Sequence, residues 1–314
     1  MTDKLETFNA HRRHLMAVAY RMLGTRADAE DVLQEAWLRW QATEMPDLRS
    51  AEAWLMTITT RLCIDRLRTL RTEREHYTGP WLPEPTLDAS LFELASPDPT
   101  PEHMVELASD LSVAFLAVLE RLSPDERAAF LLREVFDFDY DEIAEMLERN
   151  EVACRQLVHR AKTRVHDERP RITVNREAHR ALLDRFRDAA RTGERTKLEA
   201  LFATDAQFVA DGGGKVLSVL KALHGAERIV RFFEVVARRA GEHLSYQHAL
   251  INGEPGLLRY WDGKLDAVMT LITDGEQILA CYILRNPEKL ANVPAAYLDE
   301  KIYLSNSAGL SQRH

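Results

Sequence analysis

The sequence predicts a multidomain protein in which two all-α helical domains precede an α+β domain, and three observations carry that prediction. Apolar residues recur at three- and four-residue spacing through two blocks, about 8–74 and about 107–165. Between them, residues 79–103 hold six of the chain's 12 prolines, a density that no long regular element survives. After Arg171 the helical pattern gives way to strand-like runs separated by Asn-Gly and Asp-Gly pairs, the chemistry of tight hairpins.

Leu15, Val18, Ala19 and Met22 form the apolar stripe of a first helix that Gly24 ends; Val32, Leu33, Ala36, Trp37 and Trp40 form that of a second. Asp28, Glu30 and Asp31 sit at the start of the second helix, where acidic groups suit the positive end of the dipole. A third helix begins near Ser50, buries Trp54, Leu55, Ile58 and Leu62, and gathers Arg61, Arg66, Arg68 and Arg71 toward its end. The spacing of Trp37, Trp40 and Trp54 with Leu33, Ala36 and Ile58 points to core packing rather than base stacking. Helical text resumes from Leu107 to Leu122. In SPDER, Ser123 is the expected N-cap, Pro124 the first helical residue and Glu126 the capping-box partner. A short helix in YDEIAEML, capped by Asp139, and a last one over about 151–165 complete a four-helix unit. Beyond it, HRALLDRFRDAARTG, RTKLEALFAT and GAERIVRFFEVVARRAG are helical. LSYQHALING, GLLRYWDG, KLDAVMTLITDG and QILACYILRN are strands of an antiparallel meander.

At 314 residues, with 46% hydrophobic and 29% charged side chains, the composition is that of globular domains. No apolar run reaches the ~20 residues that span a bilayer, and a cytoplasmic protein that binds no membrane is expected. Cys63, Cys154 and Cys281 form no CxxC pair, so neither a metal site nor a disulfide framework is indicated, and no cofactor is expected. The net charge of −9 is unevenly placed: residues 79–110 carry seven acidic and no basic side chains, while residues 1–78 carry 12 of each. That linker also holds Trp81, Leu82, Leu87 and Phe92, more apolar surface than a passive tether needs. Part of it is expected to dock on a surface, with Glu84, Asp88 and Glu93 near cationic helices; a short covering helix is the alternative.

The most informative stretch is DYDEIAEMLERNEVACRQLVHRAKTRV, a short helix, a turn of about four residues and a second helix, the helix-turn-helix pattern. Cys154, Leu157, Val158, Ala161 and Val165 would pack inward. Arg155, Gln156, His159, Arg160 and Lys162 remain outside, types that read guanine and adenine edges or hold phosphates. An amphipathic hairpin with a solvated basic face is the competing reading.

With these strings in order, the chain resembles the bacterial RNA polymerase sigma factors of the extracytoplasmic-function class. AEDVLQEAWLRW and AWLMTITTRLCIDRLR resemble their region 2, and SPDERAAFLLREVF with VACRQLVHRAKTRV resembles region 4. The resemblance implies a subunit, not an enzyme, that gives core RNA polymerase its promoter specificity through contacts with the β′ clamp helices and the β subunit. It places Asp28, Asp31, Gln34 and Glu35 on the clamp helices, and the 45–50 loop at a flipped promoter base. Arg61, Arg66, Arg68 and Arg71 would lie along the melted strand, some of them instead pairing with Asp65 or Glu73.

The chain continues for ~140 residues past region 4, and this extension resembles SnoaL-like cone domains. WLPEP (Trp81, Leu82, Pro83, Glu84, Pro85), DGGGK (Asp211, Gly212, Gly213, Gly214, Lys215) and NPEKL (beginning Asn286, Pro287) resemble strings of sigma factors fused to such a domain. The resemblance implies interdomain regulation in cis, with the DGGGK loop meeting the sigma domains; a plain connection between strands is the alternative. The expected division is 1–78 for region 2, 79–106 for the linker, 107–170 for region 4, 171–292 for the cone and 293–314 for a tail. A free monomer is expected. A small-molecule ligand in the cone is an open expectation, although Phe208, Phe233, Trp261 and Tyr282 are better read as core. The alternative function is a SnoaL-type enzyme or ligand sensor fused to a DNA-binding module. Its candidate acid-base groups are Asp205, Asp211, His224, His243, Tyr246, His248 and Asp266, whose spacing identifies no dyad.

Overall fold

The computed structural model describes residues 2–44, 50–87, 111–168 and 174–293. The chain divides into two compact units, one containing Met1–His76 and Phe115–Pro170, the other containing Tyr77–Asp88 and Arg171–His314.

In the helical unit, α1 (Thr2–Leu23) ends at Gly24, whose φ of 76° is the left-handed geometry that glycine adopts without strain. Thr25 then caps α2 (Arg26–Ala42), its hydroxyl accepting from the Asp28 N–H at 3.3 Å. Ser50 caps α3 (Ala51–Arg74) in the same way. Trp40 is fully buried, donates its indole N–H to the Lys4 carbonyl and packs 5.4 Å from Trp54; Trp37 packs 5.1 Å from Phe8. The three tryptophans are therefore core residues.

Helix α4 (Val113–Leu119) is shorter than its expected C-terminus at Leu122. Arg121 and Leu122 instead donate to carbonyls three residues back, tightening the chain into the Ser123 cap. The expected capping box forms: α5 (Pro124–Glu134) starts with Ser123 and Glu126 satisfying each other's backbone N–H groups. Helices α6 (Tyr140–Leu147) and α7 (Glu151–Glu168) follow, joined by a turn in which Glu148 has φ 53°. The apolar faces of both helical blocks join one continuous core that runs from Leu15 and Leu33 through Leu67 to Phe130, Ile143 and Val158.

The second unit begins with α8 (Arg176–Thr192) and α9 (Arg195–Glu199). The run RTKLEALFAT, expected to be helical throughout, is helical for five residues and then turns into β1 (Phe202–Asp211), where alternate side chains enter the core. β2 (Leu223–His224), α10 (Ala226–Ala240) and four long strands complete the unit: β3 (Leu244–Ile251), β4 (Glu254–Trp261), β5 (Lys264–Thr273) and β6 (Ile278–Leu284). The sheet order is β2-β1-β6-β5-β4-β3, antiparallel except for the β1/β6 pair. Asn252-Gly253 and Asp262-Gly263 take positive φ at both positions, the turn geometry that matches strand twist. Phe186, Phe202, Phe208, Phe232 and Phe233 form an edge-to-face cluster between the helices and the sheet, so Phe208 and Phe233 are core. A last turn, α11 (Pro287–Leu290), is capped by Asn286.

Candidate functional site

Helix α7 presents the face its sequence dictates. Cys154, Leu157, Val158 and Ala161 are buried, whereas Arg155, Gln156, His159, Arg160 and Lys162 are exposed. The structure separates these five by what they touch. Arg155 lies 4.2 Å over the Tyr140 ring and pairs with Glu151; Arg160 reaches Glu126 at 3.0 Å and Lys162 reaches Glu134 at 2.7 Å. Gln156 and His159 face outward. The Arg155–Glu151 pair faces solvent on both sides and is worth ~0–1 kcal/mol, so a phosphate can displace it. Glu126 is held below the usual carboxylate range: desolvation would raise it, but the Ser123 N–H and hydroxyl, Arg160 and Arg164 outweigh that.

The four arginines of α3 do not form one open basic strip. Arg61 donates to the Met146 and Glu145 carbonyls at 2.8 and 2.9 Å and pairs with Glu148, so it caps the C-terminal end of α6. Arg66 bridges Asp28 and Glu73, and Arg68 reaches Asp65 and Asp125. Arg71 is exposed, with no ion-pair partner among the described residues. Of the expected polymerase face, Asp28 departs: its carboxylate is only 14% exposed and is taken up by Arg66 and the Thr25 hydroxyl, a positioning duty within the bundle. Asp31 and Gln34 are exposed, and Glu35 pairs with Arg39. Sequence reasoning missed the apolar neighbours. Leu38 stands 52% exposed one turn beyond Gln34, and a groove of about 420 Å³ opens between Leu5, Phe8, Leu33, Gln34 and Trp37. The signal was available, since Leu5 and Leu38 fall on otherwise polar faces. The flipped-base expectation for residues 45–49 lies outside the described residues.

The three short strings meet within the second unit, around Asp211 at the end of β1. Asp211 is fully buried and accepts from the Tyr77 hydroxyl (2.6 Å), the Leu82 N–H (2.9 Å), the Gly213 N–H (3.0 Å) and the Lys289 ammonium (2.8 Å). Lys289 also donates to the Leu82 carbonyl and lies 3.9 Å over the Trp81 ring. Asn286 donates to the Tyr77 oxygen at 3.0 Å, and Asn292 to Glu84 at 2.8 Å. Burial, and then the Asp211 charge, push the Tyr77 phenol up, so it stays protonated and donates. Leu82, Pro83, Glu84 and Pro85 are buried; Pro287 is exposed and opens α11; Lys215 pairs with Glu288 at the surface.

Gly213 and Gly214, at φ 59° and 69°, face Tyr77 and Thr78, the last two residues of the segment expected as region 2, and a Cβ on Gly213 would fall 2.4 Å from Asn286. Glu84 accepts from Asn292, while Asp88 and Glu93 lie outside the described residues. Tyr77, Thr78, Lys289 and Asn292 had not been singled out; Lys289 stood inside the NPEKL string.

The acid-base candidates scatter. Asp211 belongs to this clasp, and Asp205 and His224 are exposed. His243 pairs with Asp262 and stacks on the partly exposed Trp261; His248 meets Asp184 and Arg187. Asp266 is half-buried between Arg259 and Arg285, which hold it below the usual range against desolvation. Tyr246 pairs across the strands with Arg259 and is pushed up by burial, and Tyr282 is half-buried. Among the described residues no group of three metal-ligating side chains forms, and no helix is long and apolar enough to cross a membrane.

Comparison with known proteins agrees with this geometry. Residues 7–73 match the family of Sigma-70 region 2, and residues 112–165 that of Sigma-70 region 4. The chain is 37% identical to the ECF RNA polymerase sigma factor SigJ of Mycobacterium tuberculosis (strain H37Rv) over 93% of its own length and 94% of that protein's. It is 29% identical to the probable ECF RNA polymerase sigma factor SigI of the same species (strain CDC 1551), over 90% and 93%. The crystal structure of Mycobacterium tuberculosis SigJ superposes with a TM-score of 0.72 at 35% identity, covering 94% of this chain and 100% of that one. The reading as an enzyme or sensor with an added DNA-binding module is not favoured, because these full-length relatives are sigma factors. With both sigma regions, the helix-turn-helix face and the appended α+β unit accounted for, the chain belongs to the extracytoplasmic-function RNA polymerase sigma factors, which bind core polymerase and direct it to promoters.

Proposed function

We propose that this sigma factor exists when free as a self-engaged monomer, its region 2 and region 4 helices holding each other's working residues until core polymerase separates them. Arg61 is the observation that carries the reading. It is expected on the melted promoter strand, yet it spends its hydrogen bonds on the end of the first helix of the helix-turn-helix. Arg68 and Asp125 face each other across the same seam at 3.6 Å.

In the opened state, Arg61, Arg66, Arg68 and Arg71 would hold the melted strand. Arg155, Gln156, His159, Arg160 and Lys162 would read the upstream element. Asp31, Gln34 and Glu35, with Leu38, would meet the β′ clamp helices, and region 4 the β subunit. The α+β unit acts in cis through the Asp211 clasp. Only Glu75 and His76 separate the end of α3 from clasped Tyr77, so releasing the clasp lengthens the tether that leaves region 2.

Spin labels on cysteines placed at Glu30 and Thr163, both exposed, test the reading. A single short distance in the free chain that lengthens on adding core polymerase is expected. A distance unchanged by polymerase that is bound and transcribing refutes it.

A further inference from the structure

A cleft of about 370 Å³ in the helical unit is lined by the end of α3, the start of α5 and one face of α7. Five of its lining residues are arginines: Arg71 and Arg74 from α3, Arg121 and Arg127 around the Ser123 cap, and Arg164 from α7. Two carboxylates answer them. Glu120 pairs with both Arg74 and Arg127, and Glu126 with Arg164 as well as with Arg160 outside the cleft. The lining therefore carries three more positive charges than negative ones, in a space close to the small end of ligand pockets.

Arg127 is 2% exposed. One of its terminal nitrogens is used twice, on the Met22 carbonyl and on Glu120, while its Nε has no hydrogen-bond partner. A buried guanidinium N–H without an acceptor is costly, and folded proteins rarely leave one so. Burial pushes Arg127 and Arg74 down to about 9, Arg74 with help from the like charge of Arg127; both stay cationic at neutral pH. Exposed Arg71 and Arg121, together with Arg164, stand at the mouth. Planar, forked donors converging from three helices on one small volume match the tetrahedral, multiply charged oxygens of phosphate groups, which guanidinia bind bidentately.

We propose that this cleft is a binding site for a diphosphate group, free or carried by a nucleotide, bridging α3 to the α5 and α7 helices. Bound there, the anion adds charge-assisted acceptors for the guanidinium groups that line the cleft and fastens region 2 to region 4 in the free chain. Its stabilisation grows with the free ligand concentration L as RT ln(1 + L/Kd). Because the readout is binding to the free chain, its failure leaves the sigma-factor reading untouched.

The test is calorimetric titration of the full chain with inorganic pyrophosphate, with ADP and GDP, and with AMP, at about 150 mM salt, where screening removes diffuse attraction. One saturable site is expected, with diphosphates at least tenfold tighter than AMP and a rise in Tm absent in sulfate of equal ionic strength. Tighter ADP or GDP than pyrophosphate identifies a nucleotide; the reverse identifies the inorganic anion. Arg121→Gln and Arg164→Gln, surface changes whose folding circular dichroism checks, should each weaken binding by about tenfold or more, and Arg164→Lys by less. Lack of saturation, equal response to sulfate, or undiminished binding by both glutamine variants overturns the proposal. So does loss of promoter DNA affinity in those variants without any pyrophosphate binding, which would assign the arginines to nucleic-acid phosphates.

Discussion

Replacing Lys289 by methionine probes the clasp most directly, because methionine keeps an unbranched side chain of similar length and removes the ammonium. Asp211, with no solvent exposure, then keeps three neutral donors, from Tyr77, Leu82 and Gly213, but loses its counter-charge 2.8 Å away. Removing one member of a buried ion pair costs ~3–5 kcal/mol, and the remaining donors place this case near the lower end, about 3 kcal/mol. The cation-π contact with Trp81 and the Leu82 carbonyl left without its donor add to that cost. Global unfolding is a poor gauge of a chain with two units. Hydrogen exchange at the Leu82 amide, which donates to Asp211, reports clasp opening directly. At about 1.4 kcal/mol per tenfold, Lys289→Met should speed that exchange by roughly 100-fold or more. Adding Asp211→Asn should return part of the protection, since no buried charge is then uncompensated. A change below about threefold, or no recovery in the double variant, would refute the assignment of the clasp's strength to this ion pair.

Further outcomes follow from the same geometry. Gly213→Ala should cost about 2 kcal/mol or more at the clasp, from the left-handed φ of 59° and the clash with Asn286, read as faster Leu82 exchange with the helical unit unchanged. His14 and His179 are both held below 6.5, by burial in each case, against which Glu52 works at His14. The unfolded chain therefore binds more protons, so this contribution is fully present above about pH 6.5 and is lost as pH falls through the lower folded values. His179→Gln should flatten that part of a stability-pH curve for the second unit. Asp31→Lys with Leu38→Asp, both on the exposed α2 face, should weaken core polymerase capture by about tenfold or more in a pull-down titration while leaving Tm within about 1 °C.

The Ser123 capping box, the glycine stop after α1, the two hairpin turns and the inward and outward faces of α7 were legible because each rests on residues within four or so positions of one another. The helical start of β1 misled for the same reason: a short apolar run fits either period, and only pairing with β6 chose the strand. Among site residues, the helix-turn-helix face stood out as a periodic cationic stripe. Asp28 did not disclose its burial against Arg66, since an acidic residue in a first turn looks alike whether its partner is solvent, a polymerase or a neighbouring helix.

Sequence by itself determined the family, the order of the elements, and which side chains each helix turns to its core. Tertiary structure alone decided who answers whom: Tyr77 with Asp211 across 134 positions, Lys289 with Leu82 across 207, Arg61 with Met146 across 85. Backbone periodicity encodes neighbours a turn or a strand apart. A buried charge, by contrast, takes whichever donor the packed chain brings within reach, and no local spacing records that choice.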